Sequence, residues 1–159
     1  EGILTSTTNM QTLTSIAPTE VKFEDLQNVY LAMHEDYLDG AVWIVNRTTF
    51  KQIAKMKQDN GDYHLIRDVI DGSAKYTFLG QPLLINDAME DPLANSKSVV
   101  FANLYEGYST MTKQGSLELQ HISGDTTQAL RGSHLLMLDG YGDGKILNPD
   151  AIKILKMHA

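Results

Sequence analysis

Three aspartates in one short, glycine-rich segment have the spacing of cation ligands. Residues 139–150 read DGYGDGKILNPD, and an alignment with the calcium-binding loop of helix–loop–helix proteins places Asp139, Asp143 and Asp150 at ligand positions. Tyr141 stands where that loop needs an oxygen ligand, and the side chain of Asp150 is shorter than the usual bidentate glutamate. A Gly/Asp turn between two extended segments explains the same residues without a metal. A small calcium-binding module is therefore an alternative, and not the main expectation.

The histidines are a second set of residues that could do chemistry, as bases or as metal ligands. They are His34, His64, His121, His134 and His158. A helical zinc motif needs a second histidine four residues after the first, and Leu38 stands at that position after His34. The chain contains no G-x-S-x-G segment, no Walker loop, no G-x-G-x-x-G segment and no cysteine. We expect no catalytic residue, metal or cofactor, and a hydrolase built from scattered residues is the enzymatic alternative.

The charge balance argues against phosphate recognition. The chain has 13 basic and 20 acidic residues, for a net charge of −7. Proteins that grip nucleic acid carry a surplus of lysine and arginine on one face. We expect no sequence-specific nucleic-acid partner. No apolar run approaches the length of a membrane-spanning helix, so we expect no membrane partner either.

The first half of the chain has the pattern of two helices around one buried strand. Apolar residues recur at steps of three and four over Lys22–Leu38, which predicts a helix that ends at Gly40. The continuous apolar run Ala41–Val45 is typical of a strand buried on both faces. Asn46 follows as a helix N-cap, and Thr48–Gln58 is predicted to be the second helix.

From Asp62 onward the pattern changes to short strands separated by glycine-containing turns. The predicted strands are Tyr76–Leu79, Pro82–Ile85, Ser98–Leu104, Gly107–Thr112, Ser116–Ile122 and Gln128–Leu138. Asp87–Ser96 is predicted to be a loop, and Ala151–Met157 could be a helix or a strand. The order of elements predicts an α+β fold, with a mixed central β-sheet flanked by two helices.

Short motifs occur in a defined order along most of the chain. The clearest are Trp43–Asn46 followed by Thr48 or Thr49, the segment Leu79–Leu83, and the segment Val100–Tyr108. The motif positions are Gly2, Trp43, Asn46, Gly61, Gly80, Pro82, Phe101, Tyr108, Arg131, Gly140 and Pro149. Together they resemble the major capsid protein family of tailed phages and prophages, which has the Hong Kong 97-type fold. The chain departs from the family pattern at Ala102-Asn103, where Gly-Asp is usual.

The resemblance implies the C-terminal part of a capsid subunit. Residues 1–11 would be an extended lead-in segment, residues 12–125 an axial-type α+β domain, and residues 126–159 return strands of a peripheral-type domain. Such a protein is structural, and neither an enzyme nor a cofactor carrier. Its copies build the hexamers and pentamers of an icosahedral shell around phage DNA. A nanocompartment shell of the same fold, which encloses enzymes, is the second alternative.

The resemblance also implies partners and a location. The main partners are copies of the chain itself, and scaffold, protease and portal proteins are further candidates. The location is the virion, after assembly from the cytoplasm of a bacterial host. We expect two polar, turn-rich loops to face neighbouring subunits around the capsomer axis. Their predicted contact residues are Asp71, Gly72, Ser73, Lys75, Asp91 and Asn95.

Overall fold

The structure of the protein is a computed structural model, and it describes residues 2–6, 9–57, 61–70, 73–115, 117–122, 130–132 and 134–159. The helices are α1 (Phe23–Leu31), α2 (Glu35–Leu38), α3 (Arg47–Ile53), α4 (Leu104–Gly107) and a 3-10 turn at Pro149–Ala151. The strands are β1 (Gln11–Thr14), β2 (Val42–Val45), β3 (Leu65–Ile70), β4 (Ser73–Phe78), β5 (Gln81–Ile85), β6 (Lys97–Ala102), β7 (Tyr108–Thr112), β8 (Glu118–Ile122), β9 (Leu135–Asp139), β10 (Gly142–Ile146) and β11 (Ile152–Lys156).

Seven strands form one mixed sheet in the order β1-β11-β6-β2-β5-β4-β3. The pairs β1–β11 and β2–β5 are parallel, whereas β11–β6, β6–β2, β5–β4 and β4–β3 are antiparallel. The predicted α+β fold with a mixed central sheet is thereby confirmed. The remaining strands form two separate ribbons, β7 with β10 and β8 with β9.

The sheet has a buried apolar cluster on each face, because successive side chains of a strand point to opposite sides. On the face covered by α1, Trp43 stacks on Phe101 with ring centroids 4.2 Å apart, and Leu26 of α1 is fully buried. The opposite face holds a smaller cluster that includes Val100 and Ile152. Each face carries apolar residues of β6 because Phe101 and Val100 are neighbours on that strand.

The first predicted helix is two helices in the structure. α1 ends at Leu31, and α2 begins at Glu35 after His34, whose extended backbone makes it the N-cap. Asp36 donates its backbone N–H to Nδ1 of His34 at 3.4 Å. Met33 lies in the break and is buried in the same cluster as α1, so the apolar spacing continues although the helix does not. Spacing alone therefore predicted the correct buried face but not the break.

The second predicted helix is shorter than expected, and a short helix was missed. α3 ends at Ile53, and residue 58 of the predicted helix lies outside the described residues. β6 ends at Ala102, two residues before the predicted end of that strand, and α4 occupies Leu104–Gly107 between the two predicted strands. Asn103 starts α4 because its side chain accepts two backbone N–H groups.

The last strand belongs to the seven-stranded sheet. β11 lies between β1 and β6, which settles the choice between helix and strand at Ala151–Met157 in favour of a strand. β11 lies within the segment 126–159, which was predicted to hold return strands of a peripheral-type domain, and it is a strand of the central sheet. Among the described residues, none of the helices has the length and apolar character needed to cross a membrane.

Candidate functional site

The Trp43–Asn46 motif joins three parts of the fold. Trp43 is fully buried, and its indole Nε1–H donates to the carbonyl oxygen of Phe78 at 3.2 Å. Asn46 caps α3, since its Oδ1 accepts the N–H of Thr48 at 2.9 Å, as the sequence predicted. Its Nδ2 donates to the carbonyl oxygen of Met89 at 2.6 Å, which ties the start of α3 to the loop after β5.

The second motif is built around Asn103. This side chain is buried, and its Nδ2 donates to the carbonyl oxygens of Tyr37 at 3.2 Å and Asp39 at 2.7 Å. Its Oδ1 accepts the N–H groups of Tyr105 at 3.1 Å and Glu106 at 3.3 Å. A carboxylate could accept the second pair but could not donate the first. The asparagine that departs from the family pattern is therefore the residue this site requires.

Glycines in the same region allow close packing. A Cβ added at Gly107 would lie 2.9 Å from Cγ1 of Ile152, and one added at Gly144 would overlap the ring of Tyr108. Tyr108 is opposite Ile146 in the β7–β10 ribbon, and its ring extends over Gly144, two residues before Ile146. Phe101, the first aromatic of this motif, is fully buried.

The segment that contains Gly2 lies on the second face of the sheet. Ile3 and Leu4 pack against the cluster there, and Nζ of Lys97 donates to the carbonyl oxygen of Leu4 at 2.6 Å. Beside this segment is a groove of about 430 Å³, lined mainly by apolar residues that include Met89 and Tyr108.

The remaining motif residues lie in turns or at the starts of elements. Gly61 and Gly80 have positive φ values of +90° and +77°, a backbone region that favours glycine, and Pro82 lies in β5 directly after the second of these turns. Pro149 opens the 3-10 turn. Two further residues, Arg131 and Gly140, are exposed, and Gly140 lies between β9 and β10.

The predicted contact loops are only partly described. Asp71 and Gly72 lie outside the described residues, Ser73 begins β4, and Lys75 is exposed on the same strand. Asp91 and Asn95 are exposed in one loop between β5 and β6. The structure places the two groups on different elements.

The three aspartates of the calcium alternative do not form a loop. Asp139 ends β9 opposite Glu118, Asp143 lies in β10, and Asp150 lies in the 3-10 turn. The N–H of Gly144 donates to Oδ1 of Asp143 at 2.8 Å, and this hydrogen bond lowers the pKa of that carboxyl. Within the described ranges, no three histidine, aspartate or glutamate side chains converge as metal ligands. Asp139 ends β9 and Gly142 begins β10, so the Gly/Asp residues at the start of this segment form a turn between two strands.

One polar pocket relates to the hydrolase alternative. It has a volume of about 390 Å³ and is lined by His34, Asp36, Asp150 and the largely buried Lys153, among others. Nδ1 of His34 is 3.2 Å from Oδ2 of Asp36. The lining residues include no serine, threonine or cysteine, so the pocket lacks the nucleophile of a catalytic triad.

Sequence reasoning missed an apolar surface on the β8–β9 ribbon. Leu119 is opposite Leu138 and His121 is opposite Leu136, so these side chains share one face. The three leucines are 65–67% exposed. A contiguous row of exposed apolar side chains is typical of an interaction surface. The alternation of apolar and polar residues over 117–122 was the available signal.

The sequence model of the Phage capsid family matches residues 1–157 of the chain. No curated protein matches the chain at a significant level. The capsid of an empty GTA particle has a TM-score of 0.76 at 20% identity, with 95% of this chain and 51% of that chain covered. The holo-SrpI encapsulin complex from Synechococcus elongatus has a TM-score of 0.66 at 16% identity, with coverages of 92% and 52%. Gordonia phage Cozz has a TM-score of 0.59 at 16% identity, with coverages of 98% and 54%.

The chain thus spans about half the length of these similar proteins. Identities this low show a shared fold, whereas the family is shown by the match along nearly the whole chain. That match confirms what the motifs from Gly2 to Pro149 indicated: the chain belongs to the phage capsid family.

Proposed function

We propose that this chain is part of a major capsid subunit whose copies tile into the hexamers and pentamers of an icosahedral shell around phage DNA. The observation that carries the proposal is the family match over residues 1–157. The fold shared with the GTA capsid supports it. A subunit of this kind acts by holding contacts with its copies, and its role needs no catalytic residue or cofactor.

The distribution of apolar side chains supports a role in assembly. The seven-stranded sheet has a buried cluster against α1 on one face and a smaller one against the Gly2 segment on the other. The β8–β9 ribbon leaves Leu119, Leu136 and Leu138 at the surface. We propose that this face is buried in the assembled shell.

The polar loops are the second proposed contact. We propose that residues 71–75 and 87–96 face neighbouring subunits around the capsomer axis. The loop 87–96 is held in shape, since Oγ of Ser96 donates to the carbonyl oxygen of Asp91 at 2.7 Å and the N–H of Asn95 donates to the carbonyl oxygen of His158 at 3.3 Å. An ordered loop loses less conformational entropy when it binds a neighbour.

The net charge of −7 fits a wall that encloses DNA without binding it tightly. We accordingly place the protein in the virion, and in the host cytoplasm before assembly. Scaffold, protease and portal proteins are proposed partners of the whole subunit. The division into an axial-type domain at 12–125 and peripheral-type strands at 126–159 is also a proposal, with β11 returning to the axial sheet.

A nanocompartment shell that encloses protein is the second candidate. The observation that favours it is the likeness to the SrpI encapsulin complex, which has a TM-score of 0.66. The two candidates share a fold and differ in what the particle contains.

Electron microscopy of the full-length protein, expressed alone and with its neighbouring genes, tests both candidates. We expect closed particles with hexamers and pentamers, and nuclease-protected DNA when the packaging genes are present. Particles that hold a defined enzyme and no DNA would support the nanocompartment. Failure to form any closed particle under either condition would refute both.

A further inference from the structure

Two histidines meet on the exposed face of the β8–β9 ribbon. Nε2 of His121 lies 3.1 Å from Nδ1 of His134, the ring centroids are 5.0 Å apart, and the ring planes differ by 30°. In the neutral pair, one ring donates its N–H and the other accepts it, according to their tautomers. The proposed shell contact uses the leucines of this face and assigns no role to either histidine.

The pairing of β8 with β9 places the two histidines next to each other. His121 is opposite Leu136, and His134 lies two residues before Leu136, directly ahead of β9. Residues two apart on an extended segment point to the same side, so His134 is the diagonal neighbour of His121. Both side chains are exposed, which leaves their rings free to turn while the backbone keeps them close.

We propose that His121 and His134 form a bidentate site for a divalent transition metal ion that prefers imidazole ligands, such as Zn²⁺ or Ni²⁺. Two nitrogens at about 2.1 Å from a tetrahedral zinc ion lie roughly 3.4 Å apart. The observed separation of 3.1 Å is therefore close to the chelating distance. The two nitrogens now point at each other. A small rotation of the rings would point both lone pairs at one shared metal position.

The site has two protein ligands, and in the unassembled chain water fills the other positions. No third histidine, aspartate or glutamate converges on the pair within the described parts of the chain. The other histidines are engaged elsewhere, as His64 is by stacking on Phe23 with ring centroids 3.9 Å apart. A bound ion would replace one hydrogen bond by two metal–nitrogen bonds, and it would join the end of β8 to the start of β9.

Titration calorimetry with Zn²⁺ alone, in a buffer that does not chelate metals, tests the proposal on the purified protein. We expect one ion per chain, and we expect His121→Gln and His134→Gln each to weaken binding at least tenfold. His158→Gln is the matched control, since His158 is also exposed and its Nδ1 lies 2.9 Å from the carbonyl oxygen of Ala159. Equal affinity in the wild type and His121→Gln, or a loss of binding only in the His158→Gln variant, would overturn the proposal.

Nitrogen NMR of the wild-type protein gives a readout that does not depend on any variant folding. Zn²⁺ should shift the resonances of His121 Nε2 and His134 Nδ1 together, and leave those of His34 and His158 in place. The metal should also slow amide hydrogen exchange at Ile122 and Leu135, the pair next to the site. Unchanged His121 and His134 resonances at saturating Zn²⁺ would refute the site.

Discussion

At the scale of single residues, the fold depends on polar side chains that satisfy backbone groups at the ends of elements. Asn46, Asn103 and Asn148 each accept a backbone N–H at the start of a helical segment. Of these, Asn103 is buried and makes four hydrogen bonds, two as donor and two as acceptor. A buried amide with all its partners is hard to replace, because each substitution leaves a polar group without a partner.

Replacing this amide by a carboxylate should destabilise the chain. Asn103→Asp keeps the two accepted bonds but turns an acceptor toward the carbonyl oxygens of Tyr37 and Asp39, and we expect a loss of about 1–3 kcal/mol. Urea denaturation of the purified protein measures it. Asn148→Asp is the control, because its cap needs only an acceptor, and it should change stability by less than about 0.5 kcal/mol. Equal losses in the two variants would contradict the assigned donor role.

A methyl group at Gly107 should also destabilise the chain, through overlap with Ile152. Cγ1 of Ile152 would lie 2.9 Å from the new Cβ and Cδ1 would lie 3.1 Å from it, and we expect Gly107→Ala to cost about 1–3 kcal/mol. Adding Ile152→Val should recover part of this loss, because it removes Cδ1 and gives the remaining side chain room to shift. Gly142→Ala is the matched control, since its nearest atom is at an ordinary 3.6 Å. Purely additive effects of the two changes would argue against the overlap.

At the scale of elements, short segments hold the fold together by contacts that are distant in sequence. The segment 2–6 lies on the second face of the sheet and is tied to β6 by the bond from Lys97 to the carbonyl oxygen of Leu4. Gln52 of α3 makes a similar link, since it donates to the carbonyl oxygen of Thr19 at 3.0 Å and accepts the N–H of Val21 at 2.9 Å. Each link joins an irregular segment to a regular element.

Removal of the Lys97 ammonium should loosen the segment 2–6 and leave the sheet intact. Lys97→Met keeps the apolar stem but loses the hydrogen bond, so amide exchange at Ile3 and Leu4 should quicken several-fold. Exchange measured by mass spectrometry on the N-terminal peptide checks this. Lys145→Met, at an exposed position in β10, should have no such effect. The same acceleration in both variants would show that the Lys97 bond does not hold the segment.

At the scale of the whole molecule, one part of the chain is closed and another is open. The seven-stranded sheet has a buried apolar cluster on each face, while the β8–β9 ribbon exposes a row of leucines. The chain spans about half the length of the similar proteins. We propose that other parts of the assembled particle cover the exposed leucines. The proposed shell gives that surface its use.

Charge placed on the ribbon should block shell formation without unfolding the chain. The double variant Leu119→Glu and Leu136→Glu should leave the melting temperature of this chain nearly unchanged, because both leucines are already about two-thirds exposed. Shell formation is then measured with the same two changes in the full-length protein. The yield of closed particles should fall at least tenfold, because a carboxylate is costly to bury. Electron microscopy and size-exclusion chromatography measure that yield. The control is Leu31→Glu, which changes a leucine on α1 that is also exposed, and normal particles from the ribbon variant would contradict the buried face.

Much of the local structure was predictable from the residues. β2 at Val42–Val45, the Asn46 cap and the strands β4 and β5 follow from apolar runs, a capping side chain and glycine turns, which act within a few neighbours along the chain. The break between α1 and α2 was not predictable from spacing, because Met33 continues the apolar pattern across it. The α4 turn was missed because Asn103 starts it with bonds whose other partners, Tyr37 and Asp39, are far away in sequence.

By itself, the sequence determined the fold class, the buried strand that contains Trp43 and the family, because these depend on composition, periodicity and short motifs in order. Only the tertiary structure decided that β11 lies between β1 and β6, that the Asp139–Asp150 segment forms strands, and that His121 meets His134. The physical reason is that strand neighbours are chosen by hydrogen bonding and burial between distant segments. The hydrophobic pattern of a single segment therefore does not show which other strand it pairs with.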